Sequence, residues 1–527
     1  MENTERTEAE ARRTEVCKTG PYREISAESS AEYVLPDYNE DVRKIIFTAA
    51  RVNPSGVFAD GDELVFSGVI DYNVIYNDQS GEVRSLDFTS DYEFSVKCDH
   101  ESYIDADANT RIASVYLRPV GPRKLTVRTQ LTSDISICKK ETVESRGNAL
   151  SGDGAQLLKE SVLVHGRKIS EPQEREYAEV LAEADGVNAD QVTVLESDAD
   201  AVITDVRMTE QGVQMKGEVN ICAVIMSADA PPFVACKTLP IDEMVTLDGE
   251  VPDGYFLRGD ATSVSLSVTV NPEDMGYNVT ANAVVELRVI ADYNESEELI
   301  ADAYLKECMV ESTYEDFSYS QLVDSGMSSF MYETELDRQA VGAEGIREVL
   351  CLDGSVRVQS CECKEDKLTI KGEMRFAGAS NAVSADGDNS CANIKFTVPF
   401  EENVNCNCQI PQNATAYTDV SVGRVKAELD AQKMYISCPV RVNRVITEDK
   451  RARYLATCDR RDDLPFSRPE SVVTVYYPDA KETLFGIAKR FHTTVRDIAV
   501  ANSLTESTVS AMGCRGGLSG IKRLVIK

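Results

Sequence analysis

Leu64-Val-Phe-Ser-Gly68, Val213-Gln-Met-Lys-Gly217 and Leu368-Thr-Ile-Lys-Gly372 are short strand-like runs that end in glycine and recur at intervals of 149 and 155 residues. Each continues into a further strand-like stretch: Val69-Ile-Asp-Tyr-Asn-Val-Ile-Tyr76, Glu218-Val-Asn-Ile-Cys-Ala-Val-Ile225 and Glu373-Met-Arg-Phe376. Each also follows another strand-like segment, near Ile46–Val52, Ala201–Val206 and Ser355–Val358, and precedes Leu86-Asp-Phe88, Leu239-Pro-Ile241 or Val398-Pro-Phe400. The positions line up as three divergent copies of one unit, and a fixed long period of this kind sets the architecture before any local detail.

The second half of each copy reads as a hairpin of alternating strands. The pairs are Ala113–Leu117 with Lys124–Thr129, Val264–Val270 with Asn282–Val289, and Asp419–Val425 with Met434–Val442. Apolar and polar residues alternate with period two and are punctuated by Gly, Asn and Asp, the pattern of antiparallel sheets with one face in water. Between the copies the texture changes. Glu144–Gly154 has loop composition, the Glu-rich stretch Glu171–Leu181 looks helical with Ser170 as its cap, Ser312–Leu322 is rich in Tyr and Ser, and Asp459–Glu470 reads as a charged, Pro-bearing linker.

A chain of 527 residues exceeds one core, and 42% hydrophobic residues with 27% charged residues indicate globular domains. The net charge of -34 argues against nucleic acid and against direct binding to anionic lipid. That charge is unevenly placed: residues 471–527 carry eight Lys or Arg against four acids, a net of +4, so the preceding 470 residues carry -38. A basic module on an acidic body favours an acidic partner surface or a solvated basic face. The first residues lack the apolar core of a secretion signal, and no run of about 18 apolar residues occurs, so membrane insertion is not expected. Fifteen cysteines without small-domain spacing suggest reduced thiols in a cytosol.

The last 57 residues read as strand, helix, helix, strand. Thr474-Val-Tyr-Tyr-Pro opens the segment, Leu484, Ile487, Ala488 and Phe491 share one helix face, Thr493 or Thr494 can cap a second helix carrying Val495, Ile498, Ala499 and Asn502, and Arg523-Leu-Val-Ile closes it. The runs Thr483-Leu484, Ile487-Ala-Lys-Arg-Phe491, Thr493-Thr-Val495 and Asn502-Ser-Leu504 together resemble a LysM module over nearly all of this segment. Lys481-Glu482 stands where LysM sequences usually have Gly-Asp, and glycine is the residue that lets backbone come close to a sugar. The resemblance places Asp479, Lys481, Glu482, Thr483, Leu484, Asn502 and Leu504 in the two loops of the ligand groove. Leu484 also starts the core face of the first helix and Asn502 can cap its helix end, so Lys481, Glu482 and Thr483 are the cleaner contact candidates.

The expected fold is therefore mainly β, three tandem antiparallel β-sandwich-like domains followed by a small βααβ LysM module. The expected division is a polar N-terminal tail at 1–20, repeat domains at 21–140, 191–308 and 343–458, and the module at 471–527. Linkers fall at 141–190, with a helical segment, and at 309–342 and 459–470. This arrangement is similar to the SipL-like family of clostridial spore-envelope morphogenetic proteins. The resemblance implies a non-enzymatic scaffold in the mother-cell cytoplasm at the forespore surface, docking through LysM onto the SpoIVA-like spore coat ATPase, with other coat proteins as further partners. The alternative it leaves open is a peptidoglycan-binding LysM protein of the cortex or cell wall.

Little points to catalysis. His100, His165 and His492 lie far apart, and no Gly-x-x-x-x-Gly-Lys loop is present, so no catalytic residues and no cofactor are expected. Paired carboxylates among 89 acids give no separations from sequence. Cys361-x-Cys363 and Cys406-x-Cys408 place thiols two apart on one strand face, but extended Cys-x-Cys wraps a metal poorly, and semi-buried thiols are expected there rather than zinc.

Overall fold

The computed structural model describes residues 11–98, 102–150, 154–227, 230–273, 276–383, 389–466, 473–479, 481–505, 518 and 521–527. The chain folds into three β-sandwiches and a small α/β module. The first sandwich consists of β1 (Arg12–Thr19), β2 (Arg23–Val34), β3 (Val42–Asp60), β4 (Glu63–Asp78), β5 (Val83–Lys97), β6 (Tyr103–Gly121) and β7 (Lys124–Ser145). The second has β8 (Gln156–Ile169), β9 (Gln173–Asp185), β10 (Val192–Thr209), β11 (Gly212–Ser227), β12 (Ala230–Val245), β13 (Phe256–Glu273) and β14 (Gly276–Tyr304). The third has β15 (Cys308–Asp337), β16 (Ile346–Lys364), β17 (Lys367–Val383), β18 (Asn389–Asn405), β19 (Ala414–Val422), β20 (Lys426–Leu429) and β21 (Lys433–Pro465).

One plan is used three times. A three-stranded meander, β3-β4-β5, β10-β11-β12 or β16-β17-β18, packs on a sheet organised by one long strand. That long strand, β7, β14 or β21, pairs antiparallel with the hairpin partner before it and with the strands that open the copy. Two strands open the first and second copies, whereas the third fuses them into the 30-residue β15.

The repeated glycines have a steric cause. Register shifts fall at matched places in the three meanders, between Pro54 and Gly56, Ile203 and Asp205, and Val358 and Ser360. Opposite each bulge stands the recurring glycine. A Cβ on Gly68, Gly217 or Gly372 would lie 2.5, 2.1 or 2.2 Å from the carbonyl oxygen of Asn53, Val202 or Arg357. The bulge bends its strand onto its neighbour, and only a residue without a side chain leaves room.

A second set of matched bulges builds the junction between sandwiches. Ile46, Leu195 and Leu350 are the extra residues at shifts in β3, β10 and β16, spaced by the same 149 and 155. Together with the matched Ile75, Val224 and Ala379 they meet in one apolar cluster, all six at most 5% exposed. A separate polar network also joins the sandwiches. Asp292, fully buried, accepts from His165 Nε2 at 3.0 Å, Arg167 Nε at 2.9 Å, Arg258 Nε at 3.0 Å and, from the third sandwich, Ser325 Oγ at 2.8 Å. Burial pushes the Asp292 carboxyl up, but Arg258, Arg167 and His165 outweigh it and hold the group well below the ordinary carboxylate range. Burial lowers the pKa of His165. Arg258 Nη2 reaches Tyr22 Oη of the first sandwich at 3.3 Å, and the Tyr22 ring stacks on Tyr417 of the third at a centroid distance of 3.6 Å.

Several expectations are corrected. Residues 173–185, expected to include a helix, form β9 on the edge of β14, because Tyr177, Leu181 and Ala184 fit the core face of the sheet and tertiary pairing overrides the helix preference of the glutamates. Ser312–Leu322 and the rest of the supposed linker at 309–342 lie largely in β15, where Phe317 and Leu322 are buried. β1 occupies part of the supposed tail, with Val16 fully buried against Val143; residues 1–10 of that tail lie outside the described residues. Likewise β21 runs to Pro465, through the first part of the supposed linker at 459–470. Cys222 and Cys236, instead of remaining reduced, form a disulfide, since the register of β11 with β12 sets them directly opposite with Cα atoms 4.2 Å apart.

Candidate binding site of the C-terminal module

The module consists of β22 (Thr474–Tyr476), α1 (Leu484–Arg490), α2 (Val495–Ala501) and β23 (Leu524–Ile526), with the two strands antiparallel. Thr483 caps α1 by accepting from Gly486 N at 3.0 Å, and Thr494 caps α2 by accepting from Asp497 N at 2.9 Å. Leu484, Ile487, Ala488, Ile498, Leu524 and Ile526 close the core. Both candidate loops adjoin the same small sheet: the first follows β22, and the second leaves α2 and is tied to β23 through the Asn502 side chain.

The seven candidate residues divide by what their side chains do. Asp479 and Lys481 are exposed. Glu482 turns inward, accepting from Tyr476 Oη at 2.8 Å and Asp479 N at 3.0 Å and pairing with Arg490 at 2.8 Å. Burial pushes its carboxyl up, and the Asp479 N–H, Tyr476 hydroxyl and Arg490 outweigh that and leave it below its ordinary value. Asn502 is a clasp: its Nδ2 donates to Ile498 O at 2.8 Å and Val525 O at 2.7 Å, while its Oδ1 accepts from Val525 N at 2.7 Å. Leu484 is 4% exposed and belongs to the core, Thr483 is a cap, and Leu504 is half-buried against the same core. The outward chemistry of the loops thus comes from Asp479 and Lys481, with the other five holding their shape.

The module is seated on the body. Tyr304, at the end of β14, lies in the module core edge-on to Phe485 at 5.2 Å and donates its hydroxyl to Thr493 O at 2.7 Å. Lys489 Nζ pairs with Asp302 at 2.6 Å, Lys306 Nζ with Asp497 at 3.2 Å, and Phe466 stacks on His492. These contacts use α1, the turn between the helices and the first turn of α2. None of the residues making them is in either candidate loop. Sequence reasoning missed Tyr304 and Asp302 because nothing local marks a strand end as a docking point.

The remaining chemical candidates do not converge. Cys361 Sγ is 2.9 Å from Thr418 Oγ1, and Cys408 Sγ is 3.3 Å from Val323 O. Burial pushes the Cys406 thiol up to about 11. Among the described residues no group of three or more His, Cys, Asp or Glu is placed to hold a metal ion, and no helix is long and apolar enough to cross a membrane. His165 is spent on Asp292, and His100 lies outside the described residues.

Residues 480–511 match the LysM domain family, so the C-terminal module is a LysM domain appended to a mainly β body. No curated protein and no solved structure matches the chain.

Proposed function

We propose that the chain is a non-enzymatic scaffold of the spore envelope, SipL-like, whose three sandwiches carry a LysM domain that docks onto a SpoIVA-like coat ATPase at the forespore surface. The observation that carries this reading is the seating of the module: Tyr304, Asp302 and Lys306 hold it by its helices and the turn between them, and these contacts use no residue of the two loops. A fixed attitude matters for a scaffold, because many weak contacts add only when each copy presents its site in the same way to a repeating surface. Asp292 and His165, two titratable groups displaced from ordinary behaviour in the body, are committed to contacts within and between sandwiches, which supports a structural role for them.

The LysM match itself favours a second reading, retention on peptidoglycan through the same loops. Co-sedimentation of the full chain with purified sacculi and, separately, with polymerised coat ATPase tests both. Binding to the polymer alone, reduced at least tenfold by Lys481→Glu with Asp479→Lys, is the expected result. Retention on sacculi alone replaces the scaffold reading with the wall-binding one.

A further inference from the structure

Cys222 and Cys236 depart from the pattern of the chain's other thiols. The other described cysteines are free and half-buried or buried. Cys236 is exposed and is held in a disulfide to Cys222, which is 1% exposed. The difference comes from position, because β12 is the edge of its meander and pairs with β11 on one side only. The neighbouring Ala223 and Ala235 belong to the sandwich core, so the two cysteines stand on the opposite face of the sheet.

That face meets the third sandwich. The next pair along it, Val224 opposite Val234, packs into the apolar junction beside Cys351, Ala379 and Cys391. Further on, Pro232 O accepts from Asn381 Nδ2 of the third sandwich at 3.1 Å. This end of β12 is the part its ladder holds least well. Pro231 and Pro232 have no N–H to donate, and the register with β11 shifts between Ile225 and Ser227. The disulfide pins the regular ladder just before that end, two residues from Val234 and four from Pro232.

The two sulfurs are not equivalent toward a thiol. Exchange runs by attack of a thiolate on one sulfur of the disulfide, and access decides which sulfur is struck. Cys222 is covered, so the approach is to Cys236 Sγ. A bond forms between the incoming sulfur and Cys236, the S–S bond breaks, and its electron pair leaves on Cys222 Sγ, which takes up a proton. A second thiol then displaces the first from Cys236. The two incoming thiols leave as their own disulfide, and both cysteines end as thiols.

We propose that Cys222 and Cys236 form a redox-sensitive rivet, opened by a low-molecular-weight thiol at Cys236, that governs how firmly the edge strand β12 holds the third sandwich. Closed, it keeps Pro232 and Val234 in register against the junction. Open, that end of β12 depends on a ladder short of donors, and the junction loosens. The inference is independent of what the LysM loops bind.

The test uses the full chain before and after treatment with reduced glutathione, followed by desalting. Two readouts apply: amide exchange over residues 233–238, and iodoacetamide labelling of Cys391, which is buried in the same cluster as Val234. Both are expected to quicken at least about tenfold on reduction, since the open chain regains the freedom the cross-link removed, while β4 of the first sandwich keeps its rates. Cys222→Ser with Cys236→Ser should show the fast rates from the start and ignore glutathione. Rapid acid quenching should trap glutathione on Cys236. A disulfide that resists glutathione, unchanged rates once both sulfurs are shown to be reduced, quickening spread evenly over all three sandwiches, or an adduct on Cys222 instead would each overturn the inference.

Discussion

Lys489 Nζ lies 2.6 Å from Asp302 Oδ2, joining the LysM helix α1 to the end of the second sandwich. The pair is only part-exposed on both sides, so it contributes about 1 kcal/mol, and most of the seating comes from Tyr304. Tyr304→Ala should cost the module about 3 kcal/mol of attachment by removing its aromatic contact and a buried hydrogen bond, whereas Asp302→Asn should cost about 1 kcal/mol. Amide exchange in α1 and α2 of the full chain gives the measurement. Faster exchange in the Tyr304 variant with the sandwiches unchanged is the expected pattern.

The glycine rule of the repeats can be tested one residue at a time. Gly217→Ala drives a Cβ against Val202 O and should destabilise the second sandwich by about 2–3 kcal/mol, as overpacking against backbone does. Gly121→Ala meets nothing within 4 Å and should change little. Urea midpoints of the two variants would separate them; equal midpoints would remove the bulge as the reason for the repeat.

Asn502 and Lys481 sit in the same site but should behave differently. Asn502→Ala leaves Val525 N and Val525 O without their partner, while Ile498 O keeps the N–H of residue 502, and should lower module stability by about 2–3 kcal/mol. Lys481→Ala should leave melting unchanged and alter only binding. A thermal melt of each variant beside the co-sedimentation assay reads both effects.

At the junction, Glu196 is 3% exposed with Oε1 on Arg51 at 3.3 Å and Oε2 unpaired. Burial first, then the neighbouring Asp198, pushes its pKa up to about 8. A carboxyl raised in the folded state favours folding while it is neutral, and that advantage drains away as pH rises from the ordinary carboxylate range toward 8. Glu196→Gln should therefore flatten the fall in stability over this window and be the more stable protein at pH 8.5, by about 1–3 kcal/mol. A wild-type melting temperature as steep in the variant as in the parent would exclude Glu196 as the cause.

Much of this was legible in the chain because the β repeats and the LysM module announce themselves locally. Period-two alternation located the hairpins around Lys124–Thr129, Asn282–Val289 and Met434–Val442, and the Thr-capped helices of the module followed from short-range spacing. What escaped was decided at long range. Glu171–Leu181 has helix-forming residues and becomes strand for most of its length only because β14 offers an edge, and the Tyr- and Ser-rich Ser312–Leu322 becomes strand only when β21 is in place. Within the site, Glu482 and Asn502 read as contact candidates from position alone; their inward roles depend on Tyr476, Arg490 and Val525, whose proximity no local pattern encodes.

The matched positions Ala49, Asp198 and Asp353 show what is gained by carrying three copies on one polypeptide. A ring of three identical subunits would be obliged to place the same side chain at all three positions, and three aspartates there would repel one another. Here one copy has alanine, and its nearby Arg51 reaches across to Asp198 at 2.6 Å. Covalent fusion frees each copy from obeying symmetry, so the junction tolerates charges that a true homotrimer would have to discard.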